Sequence, residues 1–570
     1  MHRFHRHLAA LLTAGLGIAT SGVHAGDTIT VPSGRFQVDH ALHLIVANIP
    51  ASQVNAQWPG QKIALQADSM YIFMPPVATV ATGQPYNLLD GAGMAYQLYF
   101  SELPLIGITT EGPIVDEPQV PGHFVLSDGG AQLTQADLGI EYRGGSSQFW
   151  PKKSFRIEFR SDTAWDEHLD VQLPGMRSDD DWNLLAAYNE PLRLRNVVCN
   201  RLWLMIHAPY YQFLEPDAVN GVRMLHADLF INGSYQGIYA VSERIDRKQL
   251  KLKAYDGNIR GELYKGNSWG ATIFSEVPPY DNDDEEWSGF EYEYPSEATD
   301  WANLHEFVQF VLETPEAAFL DGYPSRFVLD NAVDYFILLN LLRASDNTGK
   351  NIYIARYDSG TPYFYVPWDL DGTFGMAWDG TVANITDDLL MNGFYERLIH
   401  DCRPGGFTDR LQQRWNELRI GIITPGNIIG MFMQEQSLLT NNGAYARESM
   451  AWPLFEFAPA QMTYLSNWLE ARLVYLDNRF NAPCEPSGIE DPGQASISIY
   501  PNPASSRLVL LSGFSGKSML RITDALGRIM LERSLTGPRN EVDISTITPG
   551  WYLATVVVAN HEFTQKLVIN

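Results

Sequence analysis

Two short segments of the chain carry oxygen-bearing side chains at spacings that suit metal-assisted phosphoryl transfer. The first holds a carboxylate, Asp346, and an amide five positions later, Asn351. The second holds two carboxylates at i and i+2, Asp369 and Asp371, followed by Gly372. Hard Mg²⁺ takes oxygen ligands, and a positioned carboxylate orients the hydroxyl that attacks a phosphoryl group. These residue types predict a nucleotide- and metal-dependent transferase.

The elements between the two segments are expected to bring them together. Residues 352–356 and 363–366 are apolar, aromatic-rich and separated by a turn, so they predict a hairpin. Its strands would lie about 4.8 Å apart, which returns Asp369 towards Asp346. Apolar residues at helical spacing over 327–342 predict a buried helix that ends just before Asp346 and holds that carboxylate in place.

Basic residues lie upstream, where they could meet the phosphates of a nucleotide. A loop with two glycines and two serines, residues 144–147, precedes Lys152 and Lys153. The backbone N–H groups of such a loop can approach phosphates, and a strand lysine binds them in protein kinases. Alternation along the following strand favours Lys153 and puts Lys152 on the opposite face. Arg193 or Arg195 could contact phosphate as well, and a structurally paired arginine is the alternative.

The two acidic segments, taken together and in this order, resemble the paired motifs of the CotH family, the spore-coat-protein-H-like atypical kinases. The resemblance covers roughly residues 99–480. It implies that Asp346 is the catalytic-loop aspartate and that Asp369 binds the metal, in the part played by the D-F-G aspartate of protein kinases. It also implies that Asn351 is an amide on the metal side and that Asp371 assists there.

The same resemblance implies a nucleotide-binding side of the site. An Arg-Gly-x-Ser segment before Lys-Lys-Ser is typical of the family, which places Arg143, Ser146 and Lys153 at the nucleotide, with Lys153 also catalytic. Asn-Gly at 232–233 predicts a hairpin whose counterpart in the family ends near the nucleotide. Glu243 at its end is therefore a candidate ion-pair partner for Lys153, and a surface glutamate is the alternative.

The resemblance implies an α+β fold with an atypical, kinase-like, two-lobed catalytic domain. Its expected activity is transfer of the γ-phosphate of ATP, with Mg²⁺ or Mn²⁺, to Ser or Thr of an exported or cell-surface protein. Extracellular ATP is scarce, so the alternative is a non-catalytic surface-binding or structural protein on the same fold, with Ca²⁺ held by its carboxylates. A glycan-active enzyme is a more distant hypothesis, because nothing fixes the separation of a carboxylate pair.

The 570 residues predict two or three domains. Residues 1–25 combine a cationic start, an apolar core and a small-residue cleavage site, as in a secretory signal peptide. Residues 26–98 are expected to be β-rich, and residues 481–495 are a linker rich in Pro, Gly and acidic residues. Residues 496–570 predict a small all-β sandwich.

The last domain also resembles a known family. Tyr500-Pro501-Asn502-Pro503 and the terminal Lys-Leu-Val-Ile sequence are similar to those of the type IX secretion C-terminal sorting domain. The resemblance implies the type IX secretion machinery as a partner. It also implies export across the outer membrane, followed by release or attachment at the cell surface.

Charge and cysteine content limit the other partners. The formal net charge of −27 without a basic run argues against nucleic acid and anionic membranes. After the signal peptide no run of about 20 apolar residues predicts a transmembrane segment. In an oxidising compartment the three cysteines allow one disulfide, for which Cys402 with Cys484 is the favoured pairing, although sequence does not decide it. Cys199 would then be a buried thiol in an apolar helix.

Overall fold

The computed structural model describes residues 28–130, 132–161, 167–484, 497–512, 517–524, 527–537, 539–558 and 561–569. They are of mixed α/β structure and divide into two compact units between Cys484 and Glu485. The predicted signal peptide and residues 485–495 of the predicted linker lie outside these ranges. Within them, every helix is too short or too polar to span a bilayer.

The first unit begins with a seven-stranded sheet, here called the N-terminal domain (residues 28–100). Its strands follow the order β1-β4-β5-β6-β7-β3-β2. One face of the sheet packs with a helix around an apolar core that includes Ile45, Val54, Phe73 and Leu98. This region is β-rich, as its composition predicts. The elements are β1 (Thr28–Thr30), β2 (Phe36–Asp39), β3 (Leu44–Ala47), α1 (Ala51–Gln57), β4 (Lys62–Gln66), β5 (Met70–Val77), β6 (Pro85–Leu89) and β7 (Ala95–Phe100).

A closed seven-stranded barrel follows, with the strand order β10-β11-β14-β16-β15-β8-β9. Alternate residues of its strands point inwards and fill the interior with apolar side chains, among them Leu138, Ile157 and Trp182. The elements of this region are β8 (Leu105–Thr110), β9 (Val120–Ser127), β10 (Thr134–Arg143), β11 (Ser154–Arg160), β12 (Val171–Gln172), β13 (Ser178–Asp179), β14 (Asp181–Leu185), α2 (Arg195–Ile206), β15 (Met224–Ile231) and β16 (Ser234–Ser242).

The turn between β15 and β16 confirms the hairpin predicted from Asn-Gly. Asn232 and Gly233 have φ angles of 51° and 73°. A two-residue turn with both φ angles positive matches the twist of the flanking strands, and asparagine and glycine tolerate that backbone best. The sequence therefore determines this pairing locally.

The rest of the first unit is largely helical around a five-stranded sheet with the order β18-β19-β17-β20-β21. The two strands predicted to join the acidic segments are β20 and β21, and they form the expected hairpin. The elements are α3 (Arg247–Leu250), β17 (Glu262–Gly266), β18 (Glu286–Trp287), β19 (Phe290–Tyr294), α4 (Ala302–Glu313), α5 (Glu316–Gly322), α6 (Leu329–Leu342), β20 (Ile352–Arg356), β21 (Tyr363–Pro367), α7 (Gly393–Leu398), α8 (Phe407–Ile420), α9 (Pro425–Asn441), α10 (Ala444–Ala451) and α11 (Ala460–Phe480).

Helix α6 lies at the centre of this helical region. Nearly all of its residues are buried, because most of them are apolar and neighbouring elements cover every face of the helix. The helix ends where Arg343 adopts a left-handed φ of 50°. A short 3-10 turn, Ser345–Thr348, follows and carries Asp346. The predicted helix is thus present and delivers this carboxylate from a buried support.

The second unit is all-β. A three-stranded sheet, β22-β23-β26, and a four-stranded sheet, β25-β24-β27-β28, share one apolar core that includes Leu508, Ile522 and Val556. Two sheets around a common core make the sandwich that the strand spacing predicts. The strands are β22 (Ile497–Tyr500), β23 (Arg507–Ser512), β24 (Lys517–Asp524), β25 (Ile529–Thr536), β26 (Arg539–Asp543), β27 (Gly550–Val558) and β28 (His561–Ile569).

The cysteines pair as the sequence favoured. Cys402 and Cys484 form a disulfide, and their Cα atoms are 5.6 Å apart. Cys199 is a buried free thiol in α2. The disulfide ties the end of the first unit, after α11, to the segment between α7 and α8.

Candidate functional site

A cavity of about 740 Å³ contains both acidic segments of the sequence. Its lining includes Asp346, Asn351, Asp369 and Asp371. The other walls come from the loop after β10, the segment after β14, the start of α2 and the end of β17. Chain folding therefore collects in one place four of the five residues for which the sequence predicts a catalytic or metal-side role, and Lys153 is the exception.

A buried asparagine joins the two acidic segments to each other. The side-chain amide of Asn347 donates hydrogen bonds to the carbonyl oxygens of Asn351 (2.8 Å) and Trp368 (2.7 Å). Asn351 and Asp369 have φ angles of 53° and 49°, a backbone region that few residues other than glycine adopt. Non-glycine residues persist there only when their surroundings fix them, and the cross-link through Asn347 is one such constraint.

A second asparagine, Asn196 at the start of α2, holds the Asp369 segment from the other side. Its amide nitrogen donates to Oδ1 of Asp369 at 3.2 Å, and its own oxygen accepts the backbone N–H of Leu370 at 3.1 Å. Asn200, one helical turn later, donates to the same oxygen at 2.8 Å. Sequence reasoning gave neither asparagine a role, because an amide inside an apolar helix has no local motif.

Of the two neighbouring lysines, Lys152 lines the cavity and Lys153 does not, so the prediction that Lys153 lies at the nucleotide was wrong. Lys152 is buried and donates to the carbonyl oxygen of Ile238 at 2.6 Å. Lys153 is half-buried, donates to the carbonyl oxygen of Gln148 and does not line the cavity. Alternation misassigned the pair because β11 begins only at Ser154, so neither lysine belongs to the strand.

The predicted ion pair between Glu243 and Lys153 was also wrong, because the contacts of Glu243 are with other residues. Glu243 is buried, so it is not a surface residue, and its carboxylate accepts hydrogen bonds from the backbone N–H groups of Arg177 (2.9 Å) and Arg223 (2.8 Å). The glutamate that pairs with Lys152 is Glu448 of α10, at 2.7 Å. Glu448 lies almost three hundred residues after Lys152, in a helix without a sequence motif, so the sequence offered no signal for this contact.

The family of the chain is decided by comparison with known proteins. The family described as CotH kinase protein matches residues 140–476, which is more than half of the chain and includes the whole cavity lining. The chain belongs to the CotH kinase protein family. The family described as secretion system C-terminal sorting domain matches residues 498–570. A comparison with curated proteins finds no match.

These two matches confirm both resemblances drawn from the sequence. A type IX sorting domain directs secretion and attachment at the cell surface, and it identifies the secretion machinery as a partner of this CotH-family protein. The match covers the all-β second unit and leaves the N-terminal domain outside both families.

The carboxylates of the CotH-family site carry raised pKa values. Partial burial is the largest cause for Asp346, Asp369 and Asp371, since it disfavours the charged form. Asp371 has the largest rise in pKa, and the charges of Asp369 and Asp346 add to it. Lys350 opposes the rise for Asp346, and Arg143 opposes it for Asp369.

The three carboxylates surround the cavity and do not converge on one point. Within the described ranges, no set of three oxygens, one from each of these carboxylates, lies within 4.8 Å of one another. Mg²⁺ is commonly held by one or two carboxylates and completes its six oxygens with water and substrate phosphate. Asp369, Asp371 and the amide oxygen of Asn351 therefore suit a cation of this kind, which shares its coordination with a substrate.

The cavity also has several cationic side chains. Its lining contains Arg143, Lys152, Arg193, Lys265 and Lys350. This concentration of positive charge is notable in a chain with a formal net charge of −27. A partly enclosed site of this kind attracts anions, because few water molecules screen its charges.

Arg193 has more hydrogen-bond donors than the described residues satisfy. Its Nε donates to Glu448 at 3.0 Å, and its Nη1 donates to three backbone carbonyls. Its Nη2 is buried and has no hydrogen-bond partner among the described residues. A buried donor of this kind fits an anionic ligand. The expectation that Arg193 or Arg195 contacts phosphate is compatible with Arg193, whereas Arg195 pairs with Glu190 and does not line the cavity.

The remaining predicted nucleotide residues lie in the loop after β10. Arg143 lines the cavity, and its guanidinium carbon is 5.4 Å from the centroid of the Trp368 ring. Gly144, Gly145 and Ser147 line the cavity as well. Ser146 begins the short 3-10 turn Ser146–Phe149. Its side chain is outside the described part of the chain, so its predicted role stays a prediction.

The raised pKa of Asp371 predicts that this residue destabilises the cation-free protein. When the pKa of a carboxyl group is higher in the folded than in the unfolded state, that group makes the folded protein less stable as the pH rises above the unfolded pKa of about 4. We expect Asp371→Asn to raise the melting temperature in EDTA at pH 7 by roughly 2 °C or more, and to change it little at pH 3.5.

Asp379→Asn is the matched control, because hydrogen bonds from Thr381 lower the pKa of Asp379. Asp379→Asn should not raise the melting temperature at pH 7 in EDTA. Added Mn²⁺ should raise the melting temperature of the unchanged protein more than that of Asp371→Asn. Equal melting temperatures for Asp371→Asn and the unchanged protein at pH 7 would contradict the electrostatic account of the cavity.

Proposed function

We propose that this secreted CotH-family protein is a metal-dependent kinase that transfers the γ-phosphate of ATP to Ser or Thr of an exported or cell-surface protein. The observation that carries the proposal is the shared cavity. Asp346, Asn351 and Asp369 line the same cavity as Lys152 and Arg193, although the two groups lie far apart in the sequence. In this proposal the barrel and the helical region act as two lobes around the nucleotide.

The cationic part of the cavity would bind the phosphates. In protein kinases a lysine binds the nucleotide phosphates and pairs with a helix glutamate. Lys152 and Glu448 have the same relation here, with both side chains fully buried. The unsatisfied Nη2 of Arg193 supplies a further donor beside them. Burial lowers the pKa of Lys152 to about 7, and an anionic phosphate would favour its protonated form.

An aromatic pair in the same cavity would suit a nucleobase. Trp150 and Tyr188 both line the cavity, and their ring centroids are 5.8 Å apart. Flat aromatic faces stack on other rings in offset geometry, and such stacking needs little specific hydrogen bonding. The cavity thus offers an aromatic surface in addition to its cationic side chains, as a nucleoside triphosphate requires.

Asp369, Asp371 and Asn351 would hold the divalent cation, Mg²⁺ or Mn²⁺. When bound, the cation supplies neutralisation of charge on the phosphate oxygens. Other side chains of the protein keep the oxygen atoms of these three residues in position. Asn196 and Asn347 do so through the hydrogen bonds that fix Asp369 and the backbone on either side of it.

Asp346 would orient the hydroxyl of the protein substrate. The hydroxyl oxygen forms a bond to the γ-phosphorus, and the bond between that phosphorus and the bridging oxygen of ADP breaks, so that ADP leaves with the electron pair. The hydroxyl proton passes to the carboxylate of Asp346. The raised pKa of this carboxyl makes it a better proton acceptor than an ordinary aspartate, provided that it is deprotonated at working pH.

The activity test is phosphate transfer by the full-length mature protein. With Mg²⁺ or Mn²⁺ and labelled ATP, the protein should label itself or casein. Asp346→Asn and Asp369→Asn should each lower the rate by about 10²-fold or more, because they remove the proton acceptor and a metal ligand. Asp358→Asn is the control, since Asp358 lies in the turn of the same hairpin, outside the cavity, and pairs with Arg260.

Calorimetry gives the outcome that would reject this function. Binding of Ca²⁺ to the unchanged protein, with neither nucleotide binding nor labelling, would favour the non-catalytic surface protein instead. Labelling that persists at full rate in Asp369→Asn would show that another site or a contaminant is responsible.

The neighbouring lysines provide a second, independent test. Lys152→Met should weaken ATP binding by about tenfold or more, because it removes a buried cation from the phosphate side of the cavity. Lys153→Met should leave ATP binding within about twofold, because the Lys153 ammonium lies outside the cavity. Nucleotide affinity measured by calorimetry on both variants decides between the two lysines, and a larger loss in Lys153→Met would contradict the assignment.

A further inference from the structure

Glu448 is fixed by three buried contacts on the side of α10 that faces the cavity. Its Oε1 atom accepts from Lys152 at 2.7 Å and from Arg193 at 3.0 Å. Its Oε2 atom accepts the backbone N–H of Ile238 at 2.6 Å. The position of this one carboxylate therefore determines where two cavity cations lie.

Helix α10 has only eight residues, and a helix of this length is not stable by itself in water. Neighbouring elements must hold it in place. The residue before Glu448, Arg447, makes the first of these connections. Its guanidinium pairs with the buried Asp228 at 2.6 Å and lies over the ring of Tyr99, 5.2 Å from the ring centroid. Tyr99 belongs to β7 of the N-terminal domain.

The second connection is direct packing of backbone on backbone at the start of α10. Gly83, between β5 and β6, and Gly443, the N-cap of α10, have left-handed φ angles of 74° and 67°. A β-carbon at Gly83 would lie 2.2 Å from the carbonyl oxygen of Asn441. A β-carbon at Gly443 would lie 2.4 Å from the carbonyl oxygen of Gly83. Neither position has room for a side chain.

A hydrogen bond also joins the turn between α9 and α10 to the segment that follows β7. The side-chain oxygen of Asn442 accepts the backbone N–H of Glu102, two residues after β7, at 2.6 Å. The backbone carbonyl of Asn442 in turn accepts from Arg447 at 2.6 Å. The turn between α9 and α10 is thus held by the N-terminal domain and the residues that follow it directly.

We propose that the N-terminal domain positions the catalytic cavity: by fixing the start of α10, it holds Glu448 against Lys152 and Arg193. The inference rests on the proposed function, and it assigns a role to a domain that lies outside both matched families. Gly83 and Gly443 are then positioning residues that act through Glu448 and do not contact the nucleotide.

The test compares two glycines of the N-terminal domain in the full-length protein. Gly83→Ala places a methyl group against the α9–α10 turn and should lower kcat/KM for ATP by about tenfold. Gly93→Ala is the matched control, because Gly93 has a similar φ of 84° but no atom within 4 Å of its added β-carbon. It should leave kcat/KM within about twofold. Equal effects of the two substitutions would overturn the inference.

A double-mutant cycle decides whether Gly83 acts through Glu448. In the Glu448→Gln background the ion pair with Lys152 is absent because the carboxylate is replaced by an amide. Adding Gly83→Ala should then cause little further loss of kcat/KM. If Gly83→Ala lowers kcat/KM by the same factor in both backgrounds, the two positions are independent and the inference fails. Melting temperatures of all variants show whether a loss reflects unfolding.

Hydrogen exchange tests the inference without any kinase activity. The backbone N–H of Ile238 donates to Glu448, so the peptide that contains it should exchange faster in Gly83→Ala and not in Gly93→Ala. If Gly83→Ala does not fold, Gly443→Ala replaces it in this test, because it places a methyl group in the same contact from the α10 side. Unchanged protection in a folded variant would overturn the positioning role, whereas absent kinase activity with the predicted exchange would reject only the proposed function.

Discussion

The site depends on holding three like charges in one partly enclosed cavity. Among the described residues, Asp346, Asp369 and Asp371 form no ion pair within 4 Å, and their pKa values are raised. Such carboxylates repel one another and favour an open or protonated arrangement. Rigid supports must therefore oppose the repulsion: helix α6 holds Asp346, and the amide of Asn347 fixes the backbone that leads to Asp369. This arrangement costs stability, and it leaves the three carboxylates without an ion-pair partner among the described residues, although Asp369 accepts one hydrogen bond from Asn196.

In the proposed phosphate-binding part of the cavity, by contrast, the charged side chains pair with one another. Lys152, Arg193 and Glu448 are fully or almost fully buried and share hydrogen bonds, so two cations meet only one anion. A buried network is stable only when its members are satisfied, and the Nη2 atom of Arg193, which has no hydrogen-bond partner among the described residues, leaves a donor for an anionic ligand. Burial also lowers the pKa of Lys152, and a bound anion would favour its charged form. The acidic and cationic parts together suit a ligand that carries both phosphate and a divalent cation.

Sequence reasoning succeeded where the determinants were local. The hairpin at Asn232–Gly233, the β20–β21 hairpin and the helix before Asp346 all follow from patterns within about twenty residues. The disulfide between Cys402 and Cys484 was favoured because the third cysteine, Cys199, lies in an apolar helix. Both family resemblances were carried by contiguous motifs and are confirmed by the matches to residues 140–476 and 498–570.

It failed where the determinants were tertiary. Closure of the barrel depends on pairing strands that are far apart in the chain, such as β8 with β15. Strand alternation does not apply to Lys152 and Lys153, which precede the strand. Glu448 and Asn196 reach the site from helices whose sequences are ordinary, so only the packing of those helices reveals their contacts.

The central claim is that both parts of the cavity act on one metal-bound nucleotide. Crystals of the protein grown with Mn²⁺ and a non-hydrolysable ATP analogue would test it most directly, because Mn²⁺ scatters anomalously. The account predicts a single strong anomalous peak beside Asp369, with the phosphates of the analogue in contact with Lys152 and Arg193. A peak elsewhere on the protein, or an analogue bound outside this cavity, would contradict it.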